Sequence, residues 1–310
     1  MIQICPYAAC DSALWNAFIA QSKNGTFLFN RAFMDYHAHR FIDHSLLFFE
    51  KNNLIAVLPL TQHQQTLISH GGLTYGGLVV SYKIGQKKVL ECFEALGDYL
   101  KQHHFEKLIY KKIPFIYSNQ PCDEDLYALW KMGANVMKKE ASSAIYLQER
   151  LPFSELRRRR RRRSENLGVL MAKSDDFVAF HGILSKVLKK HQAKPVHSPE
   201  EMMLLKSRFP ENIELFVALE NQQMIAGTLL FIYPQLIHTQ YLAANDSARK
   251  NGALDFLLCS LIEHYQNQKI YFDFGISTEN NGQFLNEGLI HHKEGFGAHT
   301  VAYETWEWLI

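Results

Sequence analysis

Apolar residues recur along this chain in two rhythms. Stretches with a period near 3.6 predict helices over 11–21, where Leu14 and Phe18 share a face behind a capping Asp11, and over 30–39, 86–103 and 123–132. Shorter apolar runs bounded by polar turns predict a hairpin over 45–60, turning at Lys51-Asn52-Asn53, and strands over 107–111 and 144–147. Between them, the glycine-rich segment 70–77 reads as a connection entering a strand. Further on, helices are predicted over 175–193 and 198–209. The second has Ser198 as its cap, Pro199 in its first turn and Glu201 at the reciprocal capping position. Strands over 214–219, 224–233 and 236–243 lead to a loop over 244–252 and a helix over 253–266. A strand over 270–274, a short helix from Gly282 and a last strand over 301–309 complete the pattern.

The pattern repeats. Glu50-Lys51-Asn52-Asn53-Leu54-Ile55-Ala56-Val57 matches Glu220-Asn221-Gln222-Gln223-Met224-Ile225-Ala226-Gly227 at an offset of 170. Thr74-Tyr75 aligns with Gln240-Tyr241 at 166, and 107–111 aligns with 269–273 at 162. An offset that drifts by loop-sized steps while the order holds is the mark of a duplicated unit. Each half then reads as helices, three or four antiparallel strands, a long helix and a parallel strand. That predicts an α+β fold of two tandem domains, each a mixed, mostly antiparallel sheet with helices on both faces. The expected division is 1–150, a basic helical linker over 151–170, and 171–310.

Length and composition suit this division: 310 residues, 47% hydrophobic and 21% charged, give each half enough apolar material for its own core. The net charge of +2 conceals Arg157 to Arg163, seven consecutive arginines without which the chain carries −5. Basic character is therefore local. The five cysteines are widely spaced and show no metal-ligand pattern, and HExxH is absent. Free thiols, no catalytic metal and a cytoplasmic location are expected, since no apolar run approaches the length of a membrane span.

A set of segments carries a resemblance. They are 194–198, His238-Thr239-Gln240-Tyr241-Leu242-Ala243-Ala244-Asn245, Arg249-Lys250-Asn251-Gly252-Ala253 and Phe272-Asp273-Phe274-Gly275-Ile276-Ser277-Thr278. Asn286-Glu287-Gly288-Leu289, Lys293-Glu294-Gly295-Phe296-Gly297 and, in the first half, Lys111-Lys112-Ile113-Pro114 belong with them. Together they resemble the GNAT acyltransferases, and in tandem the FemAB-like branch found in bacterial surface-glycan gene clusters. The resemblance covers most of the chain. It implies transfer of an acyl group to an amine, from a coenzyme A or acyl-carrier-protein thioester in GNAT members, or from aminoacyl-tRNA in FemAB members proper.

Individual residues can be weighed against that expectation. Arg249, Lys250, Asn251, Gly252 and Ala253 precede a predicted helix start, where free amides, the helix dipole and two cations suit a donor phosphate. The alternative is an ordinary polar loop. Asp273, between two phenylalanines, is a base candidate or a structurally paired acid; Glu287 is a second base candidate or a solvated helix-end carboxylate. Tyr241 is a candidate proton donor to the leaving group, or a core tyrosine. By strand parity it and His238 should face opposite ways. Lys194, His197 and His238 in the second half, and Lys111 and Tyr117 in the first, are candidates for acceptor binding.

As a helix, the seven arginines bring seven like-charge pairs to three- and four-residue spacing. At roughly 0.2–0.5 kcal/mol each, that costs about 1.5–3.5 kcal/mol unless neutralised. Either Glu155 and Glu165 offset a solvated helix, or a polyanion such as tRNA, an acidic carrier protein, anionic lipid or a nucleotide diphosphate binds there. Three functions are therefore expected to compete. They are a thioester-dependent N-acyltransferase acting on an amino sugar or cell-envelope precursor in glycan biosynthesis, an aminoacyl-tRNA-dependent transferase, and an inactive tandem binding module.

Overall fold

Two hairpins built to one plan organise the chain. In the computed structural model, which describes residues 1–190 and 192–310, Leu46–Glu50 turns back onto Asn53–Leu58 through Lys51 and Asn52, both at positive φ. Ile213–Glu220 turns onto Gln223–Ile232 through Asn221 and Gln222, also both at positive φ. Left-handed pairs of this kind match the twist of a tight hairpin. Each hairpin also carries a bulge, between Phe48 and Phe49 in one and Ala218 and Leu219 in the other. These positions differ by the same 170 residues as the turns, so the repeat extends to its irregularities.

The first compact unit is Met1–Glu140 with Ala302–Ile310; the second is Ala141–Val301. The first begins with β1 Ile2–Pro6, α1 Ser12–Ala20, α2 Arg31–Met34, β2 Ile42–Asp43, β3 Leu46–Glu50 and β4 Asn53–Leu58. It continues through β5 Thr61–His63, β6 Thr66–Ile68, β7 Val79–Val80, α3 Gln86–Gln102, β8 Lys107–Lys111, α4 Glu124–Lys131 and the first half of β9 Asn135–Tyr146. After β9 come α5 Glu155–Asn166, β10 Leu170–Ser174, α6 Phe177–Lys189, α7 Pro199–Arg208, β11 Ile213–Glu220, β12 Gln223–Ile232 and β13 Leu236–Ala244. The chain then forms α8 Asp246–Asn251, α9 Ala253–Tyr265, β14 Tyr271–Ile276, β15 Thr278–Glu279, β16 Phe284–Leu285, α10 Glu287–Glu294 and β17 His299–Leu309.

Several elements differ from their sequence readings. The helix expected over 30–39 is α2 followed by a 3-10 turn with a kink at His37. The loop over 244–252 is helical as α8, capped by Asn245. The helix expected from Gly282 starts at Glu287, after the small β15–β16 hairpin. The helix over 175–193 is α6; its reading at residue 191 lies outside the described residues. The expected linker helix is α5, a member of the second unit.

In the first unit β1, β3, β4 and β7 form an antiparallel sheet, while β8 lies between β17 and β6. The parallel pair β6–β8 covers Thr66↔Lys107 to Ile68↔Ile109, and the glycine-rich segment then continues along the end of β8. Ser69 N–H donates to the Ile109 carbonyl at 2.8 Å and Gly76 N–H to that of Lys111 at 3.0 Å. A Cβ on Gly76 would sit 2.1 Å from the Ser69 carbonyl oxygen, which is why glycine is required there. The core of this unit packs α3, including Val89, Phe93 and Leu96, on Leu46, Phe48, Ala56 and Leu108.

The sheet of the second unit runs β10-β11-β12-β13-β14-β9, antiparallel except for β13–β14. One face carries Ala226, Leu230, Ile237 and Ala244 against Leu257, Leu258 and Leu261 of α9. The other carries Gly227, where a Cβ would meet the Phe180 ring of α6 at 2.8 Å. Outside α9 lies α5. Its Arg157 is buried and paired with buried Asp255, with its guanidinium 5.2 Å from the Phe296 ring centroid. Ser164 Oγ donates to the Asn251 carbonyl. The arginine run is thus partly a structural element.

Candidate active site

The centre of the second unit is an irregularity in β13. Its register with β12 pairs Phe231 with His238 and Leu230 with Thr239, then Leu229 with Tyr241. Gln240 is the extra residue of a β-bulge. Paired residues share a face, and Phe231 and Leu229 lie two apart, so His238 and Tyr241 share the α6–α7 face. The expectation that they face opposite ways is wrong, because simple alternation fails across a bulge.

His238 is held by Asp273, which follows from the parallel register His238↔Asp273. Nδ1 of His238 lies 2.6 Å from Oδ2 of Asp273, whose side chain is fully buried. The other carboxylate oxygen accepts from Ser142 Oγ at 2.8 Å and from Gly275 N–H at 3.2 Å. A carboxylate on Nδ1 selects the tautomer in which Nε2 is the proton acceptor. Gly275 has φ +75, and Lys293 Nζ donates to the carbonyls of Gly275 and Ile276, each at 2.7 Å, which fixes the end of β14. Burial lowers the Lys293 ammonium to about 8.

Beside this pair, Tyr241 Oη lies 2.7 Å from Nδ1 of His197, a buried residue just ahead of the Ser198 cap of α7. Burial raises the Tyr241 phenol above its ordinary range, so it remains a proton donor at neutral pH. Leu229, Phe231, Met202 and Leu205 form the apolar wall around His197.

The strands part beyond this point. β13 and β14 pair only from Leu236↔Tyr271 to His238↔Asp273, and β13 continues to Ala244. Asn245 N–H donates to the Ile225 carbonyl on the β12 side. Alternation then directs the Leu242 and Ala244 amides to the opposite edge, where no strand pairs with them among the described residues. At the end of β13, a cavity of about 420 Å³ is lined by Ile183, Lys186 and Lys189 of α6, by Lys190 just after it, and by Asn245 and Asp246. Lys190 is paired with Asp246 at 3.0 Å; Lys186 and Lys189 make no ion pair among the described residues.

Of the residues singled out from sequence, Asp273, His238, Tyr241 and His197 come together here. The segment 249–253 does not form a phosphate cradle. Arg249 and Lys250 are exposed on α8, but Asn251, Gly252 and Ala253 are buried. Gly252 is the left-handed junction of α8 and α9, φ +84, and a Cβ there would meet the Arg160 carbonyl at 2.6 Å. Ala253 N–H is bonded to the Asn251 side chain, and Asp255 fills the first turn of α9. Packing by α5 covers this helix start. Lys194 is exposed, and Glu287 is an exposed first-turn residue of α10.

Lys111 and Tyr117 belong to the first unit. Lys111 Nζ bonds the Leu73 carbonyl within the glycine-rich segment, and burial lowers it to about 8. Tyr117 is buried beneath Tyr75 and accepts from Tyr303 Oη. Both are accounted for by packing. Ser142 and the Gln240 bulge carried no sequence signal; Lys293 stood in a quoted motif without a role.

Comparison with known proteins agrees with this architecture. Residues 154–284 match the family model described as acetyltransferase (GNAT) domain. No curated protein matches the chain. Among solved structures, FemX superposes with a TM-score of 0.68 at 10% identity, covering 99% of this chain and 97% of its own. A C-terminal domain assigned to a lysylphosphatidylglycerol synthetase of Agrobacterium fabrum gives 0.65 at 12% identity, covering 97% and 92%. A tandem GNAT protein of the clavulanic acid biosynthesis pathway gives 0.53 at 11% identity, covering 99% and 98%. Residues 154–284 thus resemble a GNAT domain, and along its whole length the chain has the FemAB-like tandem GNAT fold.

Proposed function

We propose that the second unit transfers an acyl group from a thioester, acyl-CoA or acyl-carrier protein, to an amino group of a sugar or cell-envelope precursor. The observation that carries this reading is the unpaired edge of β13 with the Asp273-held His238 at its mouth. The acyl carbonyl would lie along that edge, its developing oxyanion accepting from the Leu242 amide. The acceptor amine attacks the carbonyl carbon and gives its proton to Nε2 of His238. The carbon–sulfur bond then breaks, and the departing sulfur takes a proton from Tyr241, whose hydroxyl is backed by His197. No covalent enzyme intermediate is needed.

The donor's phosphates fit the cavity by Lys186 and Lys189 better than the covered start of α9. Any acceptor role for Lys194 rests on its exposure beside His197; Lys111, Tyr117, Arg249, Lys250 and Glu287 have no part in this scheme. A second reading is supported by the likeness to FemX and to the lysylphosphatidylglycerol synthetase domain: an aminoacyl-tRNA donor, with the same proton transfers and a ribose hydroxyl as leaving group. Thermal-shift and turnover measurements against acyl-CoAs, acyl-carrier protein and aminoacyl-tRNA, with amino-sugar acceptors, separate the two. Thioester binding weakened about tenfold by Lys186→Ala with Lys189→Ala supports the first. Stabilisation and turnover with aminoacyl-tRNA alone would replace it with the second. Binding without turnover of any donor would leave a binding module.

A further inference from the structure

The arginine run divides into two faces. Arg157 and Arg160 point to Asp255, and Arg161 pairs with Glu165 at 2.8 Å and Glu263 at 2.6 Å. Arg158 pairs with Glu155, both exposed. Arg159, Arg162 and Arg163 are exposed and make no ion pair among the described residues. Their spacing of three and four residues places them on one side of α5, opposite Arg157 and Ser164. With Glu155 and Arg158 cancelling, that side carries three uncompensated positive charges.

An apolar side chain continues this surface. Leu167, one turn beyond Arg163 and just before the Gly168 turn that ends the helix, is 52% exposed. No aromatic residue occurs anywhere from 154 to 170. A surface that binds single-stranded RNA ordinarily adds rings on which bases stack, and none is available here. Guanidinium groups next to an exposed leucine suit a partner in which phosphate headgroups lie above hydrocarbon.

We propose that the outer face of α5, with Arg159, Arg162, Arg163 and Leu167, docks the protein on an anionic phospholipid surface. Charge complementarity supplies most of the attraction, and Leu167 enters the headgroup boundary. The inference is independent of the donor assignment, because it concerns binding and not turnover.

Vesicle flotation tests it, using phosphatidylcholine with about one quarter phosphatidylglycerol beside pure phosphatidylcholine. The wild-type chain should float with the anionic vesicles only and be released by salt. Combining Arg159→Gln, Arg162→Gln and Arg163→Gln should lower partitioning on the order of 100-fold. Leu167→Ser should lower it several-fold with the salt dependence unchanged. All four positions are exposed, so an unaltered unfolding curve provides the control for folding. Equal flotation with both vesicle types, or none with either, would overturn the proposal. So would a triple variant that floats like wild type, or tight, salt-sensitive binding of duplex RNA by the wild type in the absence of vesicle binding.

Discussion

The two units meet the same structural problem differently. Each has a parallel strand pair three register positions long, β6–β8 in the first and β13–β14 in the second. In the first, the chain then closes the edge of β8. Ser69 and Gly76 amides bond its last carbonyls, Ser69 Oγ accepts from Lys111 N–H at 2.6 Å, and Lys111 Nζ is tied to the Leu73 carbonyl. In the second, the strands part, the bulge at Gln240 brings His238 and Tyr241 onto one face, and no strand fills the edge among the described residues. Closing an edge satisfies backbone groups and stabilises a fold. Leaving one open keeps donors available for a ligand. Under the proposed function, the duplication separates support from chemistry.

The frame of the open unit is the most sensitive point. Asp255→Asn leaves the buried Arg157 guanidinium without its counter-charge and should destabilise the second unit by about 3–5 kcal/mol. Thermal unfolding reads this directly, and an unchanged curve would mean that α5 is not part of the unit's core. Next in size is Gly76→Ala, which forces a Cβ against the Ser69 carbonyl and should cost on the order of 1–3 kcal/mol. Turnover per folded molecule should stay within about twofold. A large loss of turnover there would place chemistry in the closed edge and break the comparison.

Tyr241→Phe should invert that pattern. Turnover should fall roughly ten- to a hundred-fold while stability changes little, since the ring still fills its place. Better leaving groups should shrink the deficit; equal loss with all donors would assign Tyr241 to binding instead. Glu287→Gln, at an exposed helix start, should change turnover by less than about twofold in a full kinetic comparison. A larger loss would restore this carboxylate as a base.

Much of the framework was legible in the sequence for local reasons. Lys51-Asn52 and Asn221-Gln222 advertise tight turns, and Ser198-Pro199 with Glu201 announces α7. The 170-residue repeat followed from the turns themselves. What was illegible depends on distant partners. Nothing in Ser142 foretells Asp273, 131 positions away. A bulge is a property of two strands, so strand parity misplaced His238 relative to Tyr241. The glycine at 252 reads as a phosphate loop until the Arg160 carbonyl is found against it. Three-residue strands such as β5 and β6 leave too few alternations to detect, so the closure of the first unit could not be seen.

The central claim is that His238, oriented by Asp273 at the open edge of β13, takes the proton from the acceptor amine. Single-turnover acyl transfer by His238→Ala, measured with and without added imidazole, addresses it most directly. A fall of about a hundred- to ten-thousand-fold, partly recovered by imidazole, is expected for a lost general base. Transfer at the wild-type rate by a fully folded His238→Ala protein would contradict it.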